Sequence, residues 1–133
     1  MQQKSSILLV DDADTVLHAM RHILARAGYD VKTAKSGKEA LTLAKQHNFD
    51  VVFTDIHMPE MDGIELIKIL RELDGYTQTP ILALTMTNTD TIKQTGKEAG
   101  ATGWLNKPVS PPKLLDLLSK FGLNAIPRPS VFA

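Results

Sequence analysis

Apolar residues along this chain fall into two alternating patterns. Short unbroken aliphatic runs are separated by longer stretches in which apolar positions recur every three or four residues. The run ILLV within Ser6 to Val10 has the length and continuity of a parallel strand covered on both faces. From Asp14 to Ala27 the residues Val16, Leu17, Met20, Ile23, Leu24 and Ala27 keep helical spacing, and Gly28 is the stop. Tyr29 to Ala34 reads as a shorter, more polar strand suited to a sheet edge. Ser36, with Glu39 three residues on, forms a capping box for a helix running to about His47.

Asp50 to Thr54 predicts a third strand around VVF. Ile64, Leu66, Ile67, Leu70 and Leu73 predict a third helix, ended by Asp74 and Gly75. Pro80 introduces a fourth strand, ILAL, which closes on Thr85. The helix expected from about Asp90 to Ala99 has little apolar content beyond Ile92 and Ala99. Gly96 in its middle costs about 1 kcal/mol against alanine, so this helix is expected to pack weakly. Gly103 to Leu105 is a very short fifth strand. Ser110, Pro111 and Pro112 then start a last helix with the stripe Leu114, Leu117, Leu118 and Phe121.

Five strands alternating with five helices imply a doubly wound α/β fold, with parallel pairing, right-handed crossovers and helices on both faces. In such sheets ligands bind at the carboxyl ends of the strands. The polar residues of this chain gather at those ends: Asp11 and Asp12 after the first strand, Asp55 after the third, Thr85 after the fourth and Lys107 after the fifth.

Composition narrows the picture. The 133 residues are 43% hydrophobic, which suits one domain with a real core. Lysine plus arginine and aspartate plus glutamate both number 15, and a net charge of zero gives no basic surface for direct nucleic-acid binding. The absence of cysteine removes disulfides and thiolate metal sites. The opening MQQKSSILLVDD is too short an apolar run for a signal peptide, and no stretch approaches the roughly 18 apolar residues of a membrane span. The expectation is a cytoplasmic protein.

Three carboxylates on one rim repel one another unless a cation neutralises them or some protonate. Oxygen ligands without histidine or cysteine favour a hard divalent ion, Mg²⁺ first. Mg²⁺ beside a carboxylate is also what phosphoryl transfer needs, so Asp55 is a candidate nucleophile, with Lys107 and Thr85 on the strand ends that would serve an aspartyl phosphate. Taken singly, Asp11 and Asp12 read equally well as a helix-start cap, Thr85 as a strand-end hydroxyl and Lys107 as a solvated charge. Five such positions on one rim read as one site.

The strings ILLVDD, VVFTDIHMPEMDG, ILALT and GATGWLNKP, in this order across Ser6 to Phe121, resemble the receiver domain of bacterial two-component response regulators. That resemblance implies a flavodoxin-like (β/α)5 fold with strand order 2-1-3-4-5. It implies a phosphorylation-activated signalling switch rather than an enzyme. Asp55 would accept a phosphoryl group from a histidine kinase or phosphotransfer protein. Asp12, Asp55 and the main-chain carbonyl of His57 would hold Mg²⁺, with Asp11 acting through a metal-bound water. Lys107 would pair with the phosphoryl group, and its bond to Pro108 is expected to be cis. Thr85 and Trp104 match the family's switch pair, in which the hydroxyl moves to the phosphoryl oxygen and the ring turns inward. The expected output surface is the face of the fourth helix, fifth strand and fifth helix, acting on a downstream protein, with the chain a monomer or a weak phosphorylation-dependent dimer.

The chain departs from the family's commonest pattern in three places. Trp104 stands where tyrosine or phenylalanine is usual, and Met86 follows Thr85 where a small residue is usual. His57 and Thr87, each two residues beyond a site residue, lie where side chains can influence hydrolytic water. Met86, His57 and Thr87 are therefore expected to set the phosphoryl lifetime. Two other functions compete. A haloacid-dehalogenase-type phosphohydrolase would use Asp12, Asp14 and Thr15, but the threonine is one place early. A passive flavodoxin-like binding module would leave Asp55, Thr85 and Lys107 without a role. The receiver is expected over residues 1–121, and GLNAIPRPSVFA after Phe121 as a tail or truncated linker.

Overall fold

The computed structural model describes residues 5–86 and 89–122. Five strands alternate with five helices: β1 (Ser6–Val10), α1 (Asp14–Arg26), β2 (Asp30–Ala34), α2 (Gly37–Gln46), β3 (Val51–Asp55), α3 (Gly63–Glu72), β4 (Ile81–Thr85), α4 (Asp90–Ala99), β5 (Gly103–Asn106) and α5 (Pro111–Lys120). The strands form one parallel sheet in the order β2-β1-β3-β4-β5. The polar strand β2 lies at an edge, as its composition predicted.

Alternation along each strand divides the core into two layers. Leu8 and Val10 of β1, Val52 of β3 and Ile81 of β4 pack with Ala40, Leu66, Ile67 and Leu70 of α2 and α3 on one face. Ile7, Leu9, Phe53, Leu82 and Leu84 meet Leu17, Leu24, Leu114 and Leu118 of α1 and α5 on the other. Burial of each such side chain contributes about 1.5–3 kcal/mol, which is why continuous aliphatic runs become the central strands. No described helix is long and apolar enough to cross a membrane.

Helix starts follow local chemistry. Ser36 Oγ accepts from Glu39 N at 3.1 Å, Thr89 Oγ1 from Ile92 N at 3.2 Å and Ser110 Oγ from Lys113 N at 3.3 Å. At α1 the N-cap is Ala13, which offers no side-chain cap. Thr87 and the tail residues 123–133 lie outside the described residues.

Candidate functional site

Register brings the site together. Val10 pairs with Thr54 across β1 and β3, so Asp11, the next residue, lies level with Asp55. Asp55 pairs with Leu84 and Thr85 with Asn106, which sets Lys107 just beyond Thr85. Lys107 N donates to Thr85 O at 2.9 Å, and the Lys107–Pro108 peptide is cis, as the family resemblance implied.

Asp11, Asp12 and Asp55 each bring a carboxylate oxygen to within 4.8 Å of the others. Asp11 and Asp55 are buried, whereas Asp12 is exposed at the mouth. Asp11 Oδ1 accepts from Ala13 N at 2.9 Å, so this residue shapes the turn into α1 without capping the helix itself. Asp14 is not part of the cluster. Its carboxylate pairs at the surface with Lys35 at 2.6 Å, which holds its pKa below the ordinary value. The second aspartate of the phosphohydrolase reading is thus engaged elsewhere.

Lys107 Nζ bridges the two buried carboxylates, 2.6 Å from Asp11 Oδ2 and 3.1 Å from Asp55 Oδ1. Asp11 Oδ2 receives no hydrogen bond of good direction, so its short contact with Lys107 is an ion pair. Burial alone would lower the Lys107 pKa, but Asp11 and Asp55 outweigh it and raise it above its ordinary value. Asp55 is raised by burial and then by Asp11, against the opposing pull of Lys107 and the His57 backbone. Three carboxylates against one ammonium leave two negative charges. A divalent, oxygen-seeking cation fits that set, Mg²⁺ among them.

Thr85 is buried at the end of β4, Met86 beside it is 80% exposed, and His57 is exposed in the loop after Asp55. That loop is set by Gly63, a residue the site reading left out. A β-carbon at Gly63 would overlap the Asp55 carbonyl oxygen and stand 2.8 Å from Ile56 Cα, and Gly63 N donates to Ile56 O at 2.8 Å. Asp62 caps α3 through Glu65 N at 2.8 Å. The pair Asp62-Gly63 therefore lays the start of α3 directly on the Asp55 backbone.

Trp104 is half-buried on β5, and its six-membered ring lies against Gly96 of α4. The ring also bounds a groove of about 450 Å³ flanked by Lys93, Lys97 and Thr102. Gly96 is thus more than the helix-weakening residue expected from the sequence.

The family model for the response regulator receiver domain matches residues 7–119. Among solved structures, the chemotaxis protein CheY4 of Vibrio cholerae aligns with a TM-score of 0.87 at 43% identity, over 89% of this chain and 98% of that one. The receiver domain of the sensor histidine kinase PA1611 of Pseudomonas aeruginosa PAO1, described with a magnesium ion coordinated in its active-site cleft, aligns with a TM-score of 0.82 at 25% identity, over 89% of this chain and 97% of that one. The transcriptional regulatory protein SrrA of Staphylococcus aureus is 37% identical over 107 residues, 80% of this chain and 43% of that protein. The chain therefore spans less than half the length of this curated relative.

Proposed function

The chain belongs to the response regulator receiver family, a signalling domain rather than a conventional enzyme, and on that premise we propose that Asp55 is its phosphoacceptor in a Mg²⁺-dependent switch. The observation that carries this reading is the convergence of the Asp11, Asp12 and Asp55 carboxylates, with the Lys107 ammonium between Asp11 and Asp55.

Receiver domains work with histidine kinases or phosphotransfer proteins, so the donor is a phosphohistidine. An Asp55 carboxylate oxygen attacks phosphorus, the P–N bond breaks, the imidazole leaves, and an acyl phosphate forms on Asp55. Asp12, Asp55 and the carbonyl of His57 would hold Mg²⁺, with Asp11 beside them through bound water. The neighbour described with magnesium in its cleft supports that assignment. When bound, the ion screens the carboxylates from the incoming phosphoryl group and neutralises charge on its oxygens. Lys107 supplies a mobile counter-charge: paired with Asp11 and Asp55 at rest, it is within reach of a phosphoryl oxygen built on Asp55. The Thr85 hydroxyl and the Trp104 ring are the switch pair. The added charge, about −1.5 to −2, selects the conformer in which Thr85 contacts the phosphoryl group.

The output is contact with a downstream protein through the face of α4, β5 and α5, without direct nucleic-acid or membrane binding, by a monomer or a weak phosphorylation-dependent dimer in the cytoplasm. Self-catalysed phosphorylation from small donors and self-catalysed hydrolysis belong to the same reading. Intact-mass measurement after incubation with phosphoramidate and Mg²⁺ tests it. One added phosphoryl group is expected in the wild type, none with excess EDTA and none in Asp55→Asn. Full phosphorylation of Asp55→Asn would overturn the assignment.

A further inference from the structure

The side of Trp104 that faces α4 meets a glycine. A β-carbon at Gly96 would overlap Cη2 of the indole and stand 2.7 Å from Cζ3 and 3.0 Å from Cζ2. The outer ring of the indole therefore occupies the volume that any other residue's side chain would take. Gly96 is buried, and it sits inside a helix that alanine would favour.

We propose that Gly96 is a positioning residue for Trp104: a seat on α4 that holds the indole in its resting position and couples the ring to the helix. This rests on the reading of Trp104 as the aromatic partner of Thr85. The extra ring of tryptophan, relative to tyrosine or phenylalanine, is accommodated because α4 carries no side chain where that ring lies. An aromatic ring in close contact with a backbone makes many small dispersion contacts, all of which are lost when it leaves. The ring therefore cannot turn inward without releasing α4, and α4 cannot shift without displacing the ring. Because the same indole bounds the groove flanked by Lys93, Lys97 and Thr102, its departure reshapes the proposed output face.

A methyl group at position 96 penalises only the seated state, so it biases the equilibrium toward the unseated one. Tryptophan emission of the full chain reads this directly, since Trp104 is the only tryptophan. Gly96→Ala is expected to move the resting spectrum toward the one that wild type gives with Mg²⁺ and beryllofluoride. It should also lower the beryllofluoride concentration for half-response by about threefold or more. Thermal unfolding followed by circular dichroism supplies a second arm. Gly96→Ala should lower the midpoint in the wild-type background. In Trp104→Phe, which lacks the outer ring, the same change should raise it, because alanine's helix preference then acts alone. One sign in both backgrounds, or an unchanged spectrum and beryllofluoride response in Gly96→Ala, would overturn the seat. A wild type silent to Mg²⁺ and beryllofluoride is a separate outcome: it removes the Asp55 reading and leaves the seat to be decided by the reversal in stability.

Discussion

At Asp55 burial and charge oppose each other. Its carboxyl is buried beside Asp11, which raises its pKa, while the Lys107 ammonium 3.1 Å away pulls it down without prevailing. The folded chain thus holds the Asp55 proton more tightly than the unfolded chain does. The stability this contributes is fully present below the ordinary value of 3.8 and is lost as pH rises through the raised folded value. Near neutral pH the metal-free protein carries that penalty. In EDTA at pH 7, Asp55→Asn is therefore expected to unfold at higher urea than wild type, with the excess shrinking as the pH is lowered. Mg²⁺ should reverse the order by stabilising wild type, about 2.7 kcal/mol at a hundredfold excess over Kd, while leaving Asp55→Asn nearly unchanged. A wild type that gains no urea resistance from Mg²⁺ would contradict the acidic cluster as a cation site. Met86 and His57 act at the same scale. Met86 presents a large exposed side chain immediately after Thr85, so Met86→Ala is expected to speed loss of the phosphoryl group several-fold. Identical dephosphorylation rates in wild type, His57→Ala and Met86→Ala would remove both residues from the account.

At the scale of elements, α4 is held unevenly. Its buried residues, Gly96 and Ala99, lie in its carboxyl half, while in its first turn Asp90 and Thr91 are exposed and Ile92 and Lys93 half-buried. The carboxyl end is also braced by Arg71 of α3. Arg71 Nε donates to Gly100 O at 2.9 Å, one terminal nitrogen donates to Tyr76 O and Thr79 O at 2.8 and 2.7 Å, and the other reaches Thr102 Oγ1 at 3.2 Å. Gly100, in the left-handed region at φ 110°, ends the helix there, and a β-carbon on it would stand 2.9 Å from Arg71 Cγ. Thr102 Oγ1 in turn accepts from Ile81 N at 3.0 Å, which ties the brace to the start of β4. Arg71→Ala leaves three carbonyls without their charged donor and should cost about 2–3 kcal/mol of stability. Hydrogen exchange is expected to accelerate in the last turn of α4 more than in α1, and equal protection of the two would show that the brace is dispensable. The expectation of a weakly packed fourth helix thus applies to its amino half.

At the scale of the whole molecule, a parallel sheet turns strand-end residues that are distant in sequence into one rim. The five strands and five helices were legible because burial imposes a period, continuous for strands covered on both faces and 3.6 for amphipathic helices. Asp11, Asp12, Asp55, Thr85 and Lys107 were legible for the same reason, as polar residues that terminate apolar runs. The strand order was available only through resemblance, since local pattern does not encode which strand lies beside which. Contacts between distant elements were hidden as well. Nothing in the residues around Arg71 announces that it will reach Gly100, 29 positions away, and a glycine inside a weak helix looks like a defect until the ring of Trp104 is found against it. Even Lys107, expected to serve a phosphoryl group, is bound at rest between Asp11 and Asp55. The sequence by itself determined the elements, their faces and the chemistry carried to the rim, because these follow from local periodicity and residue type. The pairing of the buried charges, the brace on α4 and the seat of the indole were decided only by tertiary structure, because each depends on the relative placement of elements far apart in the chain.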